Sequence, residues 1–196
     1  SEPLGENAVD NYIAWYVSTL AAKIIAENPK IQTVFEQIQM TDADAWQSAL
    51  LKNQELKNIL IEETPWLNAT RNETERIQRM ALLFDLNKQQ YNRAKYWDKL
   101  SSLQLSNGAF TWFEGMNESR IITQWITEGL VRAKAISNDV NIDNMLKQAV
   151  QYLDAQFTKD YLTLKKSVKN YEKKKTVNAM QIQYLAIRSQ LKQMDM

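Results

Sequence analysis

The sequence predicts an all-α fold built from antiparallel helical hairpins, and three observations carry that expectation. Only four glycines and three prolines occur in 196 residues, too few turn formers for a β-rich chain. Apolar residues recur at helical spacing along almost the whole length. Asn, Thr, Asp and Ser stand where the apolar stripes begin, as helix N-caps do.

The elements follow in order. A first helix is expected from about Asn7 to Glu27, with Tyr12, Ile13, Tyr16, Val17, Leu20, Ile24 and Ile25 inward. Asn28-Pro29 stops it and starts the next, since Pro suits the first helical position and Asn caps it. That short helix carries Ile31, Val34, Phe35 and Ile38. Thr41 is the next cap, with Asp42 and Asp44 in a first turn that favours acids, and Trp46, Ala49 and Leu50 inward. A break near Asn53 leads to a turn or two through Ile59 and Leu60, ended by Thr64-Pro65-Trp66. Thr70 or Asn72, with Glu73 or Glu75, caps a helix lined by Ile77, Met80, Ala81 and Phe84. Then come Tyr91, Ala94, Tyr96, Trp97 and Leu100.

Past residue 115, Asn117 or Ser119 caps the cleanest stripe: Ile121, Ile122, Trp125, Ile126, Gly129, Leu130 and Ala133. After SNDVN, a long helix bears Met145, Leu146, Ala149, Val150, Leu153, Phe157, Tyr161 and Leu164. A last helix carries Val177, Met180, Tyr184, Ile187 and Leu191. Short connections between such helices make neighbours antiparallel. Some stripes are wide, with Trp15 beside Tyr12 and Tyr16. Helices of that kind pack on two sides, as in a double-layered helical ring or a helical solenoid.

Composition narrows the chemistry. Cysteine and histidine are both absent. That excludes thiolate catalysis, disulfides, Cys/His zinc sites and a His general base. No cofactor and no metal site is expected. A formal net charge of +1 gives no global field to recruit nucleic acid. No apolar run nears the roughly 20 residues of a membrane helix, so direct membrane insertion is not expected. SEPLGEN does not read as a signal peptide and no initiator Met precedes it, so a segment of a longer protein is expected.

Two glycines and a tryptophan fall in one short stretch, LQLSNGAFTWFEG at 103–115. Asn107-Gly108 is a turn signal. Phe110, Trp112 and Phe113 are expected to fold back and plug the end of the helix layer, each adding apolar burial. The alternative is an exposed recognition loop. Gln104, Asn107, Gly108, Ala109, Phe110 and Trp112 resemble the Q-x-x-D-G-G-x-W turn of double-layered α/α rings. Terpenoid cyclases, protein prenyltransferases and the thioester domains of α2-macroglobulins share that ring. Cyclases of this type use D-x-D-D, whereas Asp42-Ala43-Asp44-Ala45 lacks the last acid and reads as capping. Prenyltransferases hold zinc through Asp, Cys and His, and two of those types are missing here.

The longest resemblance is to the thioester domain of bacterial α2-macroglobulins, especially those of Bacteroides-type bacteria. PLGENAVDNYIAWYVSTLAAKIIAENPKIQTVFEQ is similar to its start, and ETPWLNATRNETERIQRMALLFDLN, LQLSNGAFTWFEGMNESRIITQWITEGLVRAKAI and QIQYLAIRS follow in matching order. The resemblance implies that residues 1–196 form a single α/α-toroid domain or fragment, a partial ring in a longer multidomain chain. It also implies export to the periplasm or cell envelope, and steric trapping of a host or competitor protease. The neighbouring domains of the parent chain would be its partners.

The family's P-x-G-C-x-E-Q motif forms an internal thioester between Cys and Gln. Pro3 and Gly5 match it, but Glu6 stands at the Cys position, with Asn7 between, Ala8 at the Glu and Val9 at the Gln. A carboxylate and a valine cannot form that bond, so covalent capture is not expected. Gly5, Glu6, Asn7, Ala8 and Val9 mark the degenerate thioester position. Asn107, Gly108, Phe110, Trp112 and Phe113 are the candidate docking loop.

Two other classes of function stay open: an α/α-ring enzyme using carboxylates on a carbohydrate or isoprenoid, and an adhesion or scaffold module of the envelope. Lys159, Lys165, Lys166, Lys169, Lys173, Lys174 and Lys175 read as a solvated helix end. Glu62-Glu63 and Glu114/Glu118 read as surface charge. The glycosylation-like triplets at Asn68, Asn72 and Asn117 read as helix caps.

Overall fold

A computed structural model describes residues 7–39, 54–63, 88, 90–137, 139–168 and 177–193. The described residues are mostly helical and hold no strand, an all-α arrangement. Their helices are α1 (Ala8–Ala26), α2 (Pro29–Gln39), α3 (Gln54–Glu63), α4 (Arg93–Ser102), α5 (Arg120–Lys134), α6 (Val140–Ser167) and α7 (Ala179–Gln193). The expectations for Thr41 to Leu50 and for Thr64 to Phe84 lie outside the described residues. The chain forms two compact units, Ser1–Tyr16 with Ala94–Met196, and Val17–Arg93.

In the second of these, the end of α1 buries Ala21 and Ile25, and α2 buries Ile31, Val34 and Phe35. α2 packs against α3. Asn28 stands at the cap position of α2, its carbonyl accepting the Ile31 and Gln32 amides at 2.9 and 3.2 Å, while its side-chain Nδ2 reaches back to donate to the Ile24 carbonyl at 2.7 Å. It thereby satisfies an orphan acceptor at the end of α1. α3 is longer than the turn or two expected, running ten residues. A Gln54–Asn58 side-chain bond of 3.1 Å spans its first turns, an i,i+4 pair of the kind that steadies a short helix.

In the first unit, α5 packs against both α6 and α7, and α6 also packs against α7. The core joins Ala8, Tyr12 and Trp15 of α1 to Leu100 of α4, Ile122, Ile126 and Leu130 of α5, Ile142 and Leu146 of α6, and Ile187 and Leu191 of α7. Ser119 caps α5 as expected, its side chain accepting from the Ile122 amide. Asp139 caps α6 through the Asn141 amide at 2.9 Å.

Several inward assignments change. Along α1, Ile13 and Leu20 are exposed, and Asn11, Trp15, Ser18 and Thr19 are buried instead. Tyr91 and Val177 are exposed outside their helices. On α5, Ile121 (64% exposed) and Trp125 (39%) leave the expected stripe, while Thr123, Gln124 and Thr127 are fully buried. The reason is local bonding. Thr127 Oγ1 donates to the Thr123 carbonyl at 2.5 Å, and Gln124 Nε2 donates to the Met180 carbonyl of α7 at 2.7 Å. A polar side chain with a partner is buried without the full desolvation cost. α5 therefore packs on two sides, and its polar face is one of them.

Toward its C-terminal end α6 loses cover. Phe157 and Leu164 are half-buried, and Tyr161 and Leu162 are exposed. Lys159, Lys165 and Lys166 lie on this exposed stretch, and Asp160 pairs with Arg120 at 2.8 Å. Lys169 to Lys175 lie outside the described residues.

Candidate functional site

The site grows from the connection between α4 and α5. Leu103, at the end of α4, turns the chain out of the helix and is buried in the core. Its carbonyl accepts the Thr111 amide at 3.0 Å, and the Leu105 amide donates to the Ala109 carbonyl at 2.8 Å. Residues 103–111 thus form a miniature hairpin. At its turn, Gly108 adopts φ +87°, a conformation that only Gly takes at little cost. Asn107 Oδ1 accepts from the Ala109 amide at 3.0 Å, the local bond that makes Asn a turn residue.

Gly108 meets a second demand. A Cβ there would lie 2.1 Å from the Gln148 carbonyl oxygen of α6. The turn is pressed against α6 so closely that no side chain fits. Gln104 fastens the same contact, its Nε2 donating to the Met145 carbonyl at 3.0 Å and to the Gly108 carbonyl at 3.2 Å.

The loop's aromatics divide. Phe110 is fully buried in the core, worth about 2–3 kcal/mol for such a side chain. Its amide donates to Thr123 Oγ1 at 2.8 Å, and its carbonyl accepts the Ser119 amide at 2.9 Å. The plug expected of three residues is made by Phe110 alone. Trp112 and Phe113 are each 42% exposed, with ring centroids 6.5 Å apart. Met116 is exposed beside them in sequence, and its amide donates to the Phe113 carbonyl at 3.2 Å. Gly115, at φ +77°, has open space around it.

Glu118, read from sequence as surface charge, has structural partners. Its carboxylate accepts from Asn107 Nδ2 at 2.5 Å and from the Tyr152 hydroxyl at 3.2 Å. Burial first, and then the Glu118 charge, push the Tyr152 hydroxyl up to about 12. Ala109 packs with Tyr152, Leu153 and Tyr184 in a second apolar cluster. Tyr184 is likewise pushed to about 12, by burial and then by its bond to Asp154.

The two regions singled out in the sequence meet here. Gly5 and Glu6 lie outside the described residues. Asn7 opens α1: its Oδ1 accepts from the Asp10 amide at 2.9 Å, and its Nδ2 donates to the Asp10 carboxylate at 2.6 Å. Ala8 is fully buried, and its amide donates to the Trp112 carbonyl at 2.9 Å. Val9 packs against the core. The loop therefore satisfies one of the amides that a helix start leaves open. This bond joins the start of the chain to residues more than a hundred positions away, and no local pattern announces it.

An aromatic cluster that sequence reading missed lies between α1 and α5. Tyr12 makes an edge contact with Trp125 at 5.5 Å and stacks on Tyr16 at 5.9 Å. A Cβ at Gly129 would meet the Tyr12 ring at 2.4 Å, so this glycine lets the ring lie on the backbone of α5. Gly129 reads in the sequence as a member of an apolar stripe, and its pairing with Tyr12 has no local signal.

No family model matches this chain, and no curated protein or solved structure matches it.

Proposed function

We propose that this chain is a non-catalytic docking domain of a bacterial α2-macroglobulin-like protein, acting in steric protease trapping without covalent capture. In this reading it is part of an α/α toroid in a longer exported chain, in the periplasm or cell envelope. Its partners are neighbouring domains and a host or competitor protease. The segment-by-segment resemblance motivates the reading.

The observation that carries it is the use made of Asn7, Ala8 and Val9. In a thioester-bearing relative this stretch would include reactive groups. Here Asn7 caps α1, Ala8 is buried against the loop, and Val9 packs, partly buried, against the core. The place of the chemistry is taken by helix initiation. What remains for recognition is surface, and the loop offers Trp112, Phe113 and Met116 on a fixed base. Exposed aromatics on a rigid support are what protein interfaces favour, since little side-chain entropy is lost on docking.

The test uses the full parent protein with a broad-specificity endopeptidase, following cleavage of a small peptide and a large protein together. A trap leaves the peptide cut and spares the protein. Equal cleavage of both with several proteases, as fast as without the parent, overturns the trapping role.

A further inference from the structure

A pocket of about 290 Å³ is lined by Tyr12, Tyr16, Trp125, Glu128, Gly129 and Arg132. We propose that it binds one neutral hexopyranose unit, through stacking on its aromatic wall and hydrogen bonds to Glu128 and Arg132. This is separate from the trapping reading and does not depend on it.

Four features of the pocket select that ligand class. Its volume sits at the small end of the roughly 300–1,000 Å³ of ligand sites, which suits a single ring and not a peptide segment. Its accessible aromatic wall is Trp125 with the half-buried Tyr16, which offer flat apolar surface to the C–H side of a sugar; Tyr12 is buried behind them. Its charges cancel, because Glu128 and Arg132 form an ion pair at 2.5 Å on successive turns of α5. A bound cation would face the Arg132 guanidinium, and a bound anion would face the Glu128 carboxylate. A neutral ligand needing an acceptor and a donor side by side, as neighbouring ring hydroxyls do, meets neither repulsion.

The fourth feature is pre-organisation. Gln183 Nε2 of α7 donates to Glu128 Oε2 at 2.7 Å, and Arg132 holds Oε1. A carboxylate has about four acceptor positions, so two remain for ligand hydroxyls. Gln183 is itself tied to the buried Gln124 at 3.1 Å. The carboxylate is thus fixed from the α5–α7 packing before any ligand arrives, which lowers the cost of ordering it on binding. Tyr12 is similarly fixed, its ring lying on the backbone of α5 at Gly129.

The test follows the indole N–H resonances of the six tryptophans in the whole chain, with W125F assigning Trp125. The probes are the methyl glycosides of glucose, galactose and mannose, with tetramethylammonium and acetate as charged controls. The expected result is a saturable shift of Trp125 with at least one glycoside in the millimolar range, while Trp112 stays still. E128Q should weaken that binding roughly tenfold, as expected for losing a bond to a charged acceptor. R132M should also weaken binding, by removing its own bond and its hold on Glu128 Oε1, with circular dichroism confirming that both variants fold. Comparing the best glycoside with a soluble glycan ending in the same sugar distinguishes a free sugar from a glycan terminus. No Trp125 shift with any glycoside overturns the proposal. So does a shift with tetramethylammonium or acetate in place of sugar, or equal movement of all six resonances.

Discussion

The two halves of the α4–α5 connection are built on opposite principles. From Gln104 to Thr111, amides and carbonyls bond back to the hairpin or to neighbouring helices, and Phe110 is sunk in the core. From Trp112 to Asn117 every residue is exposed, two of them large aromatics. The Gly in each half shows the same division. Gly108 has a positive φ and a helix backbone in the way of any Cβ; Gly115 has a positive φ and open space. One half fixes the helices, and the other half is held out by them. A chain that wants a rigid presented surface needs both.

Substitutions should separate the halves sharply. The largest loss is expected from G108A, which adds both backbone strain and a Cβ against the Gln148 carbonyl. At about 1–3 kcal/mol for each, about 2–6 kcal/mol of stability should go, read by urea unfolding. T123V should cost about 1–3 kcal/mol in the same assay, because the buried Phe110 amide loses its acceptor.

The bonds from Tyr152 to Glu118 and from Tyr184 to Asp154 should also give the chain an alkaline weakness. Burial and their carboxylate partners push the Tyr152 and Tyr184 hydroxyls up to about 12 in the folded protein against about 10 unfolded. The folded state holds its protons more tightly, so their contribution is complete below about pH 10. It is lost as pH rises through 12. Y152F should flatten that part of a stability-against-pH curve without removing it, since Tyr184 remains.

Smaller effects belong to the tip. G115A should cost about 1 kcal/mol, from backbone strain alone. W112A and F113A should each cost less than about 1 kcal/mol by urea unfolding. If the tip is the docking surface, the same two variants should weaken steric protection of a large protein substrate by the parent protein. A tip variant that unfolds the domain as badly as G108A would erase the distinction between the halves.

The sequence made some of this legible. Ser119 is a good cap by residue type and place, and it caps. Asn107-Gly108 announces a turn, and a turn forms there. Helix existence was readable from apolar spacing at both ends of the chain. What failed was the assumption that apolar means inward. Thr123, Thr127 and the Gln124 Nε2 group are buried with partners on α5, α7 and the loop, and such partners are set by tertiary packing. Ile121 and Trp125 are left outside by the same choice of face. The close approaches at Gly108 and Gly129 were invisible for a related reason. A turn signal fixes the sign of φ, but only the assembled fold shows what lies above the missing Cβ.

The division between base and tip is tested most directly by native-state hydrogen exchange, resolved along residues 103–119. The amides of Leu105, Phe110, Thr111 and Ser119 each have an acceptor in the structure. They should exchange only on large-scale opening, with free energies close to that of global unfolding. The Ala8 amide, bonded to the Trp112 carbonyl, should be protected with them. The exposed tip around Trp112 to Asn117 should exchange much faster. Fast exchange at Phe110 and Thr111, level with the tip, would contradict the account: the loop would then be one mobile segment, with no fixed base to present Trp112 and Phe113.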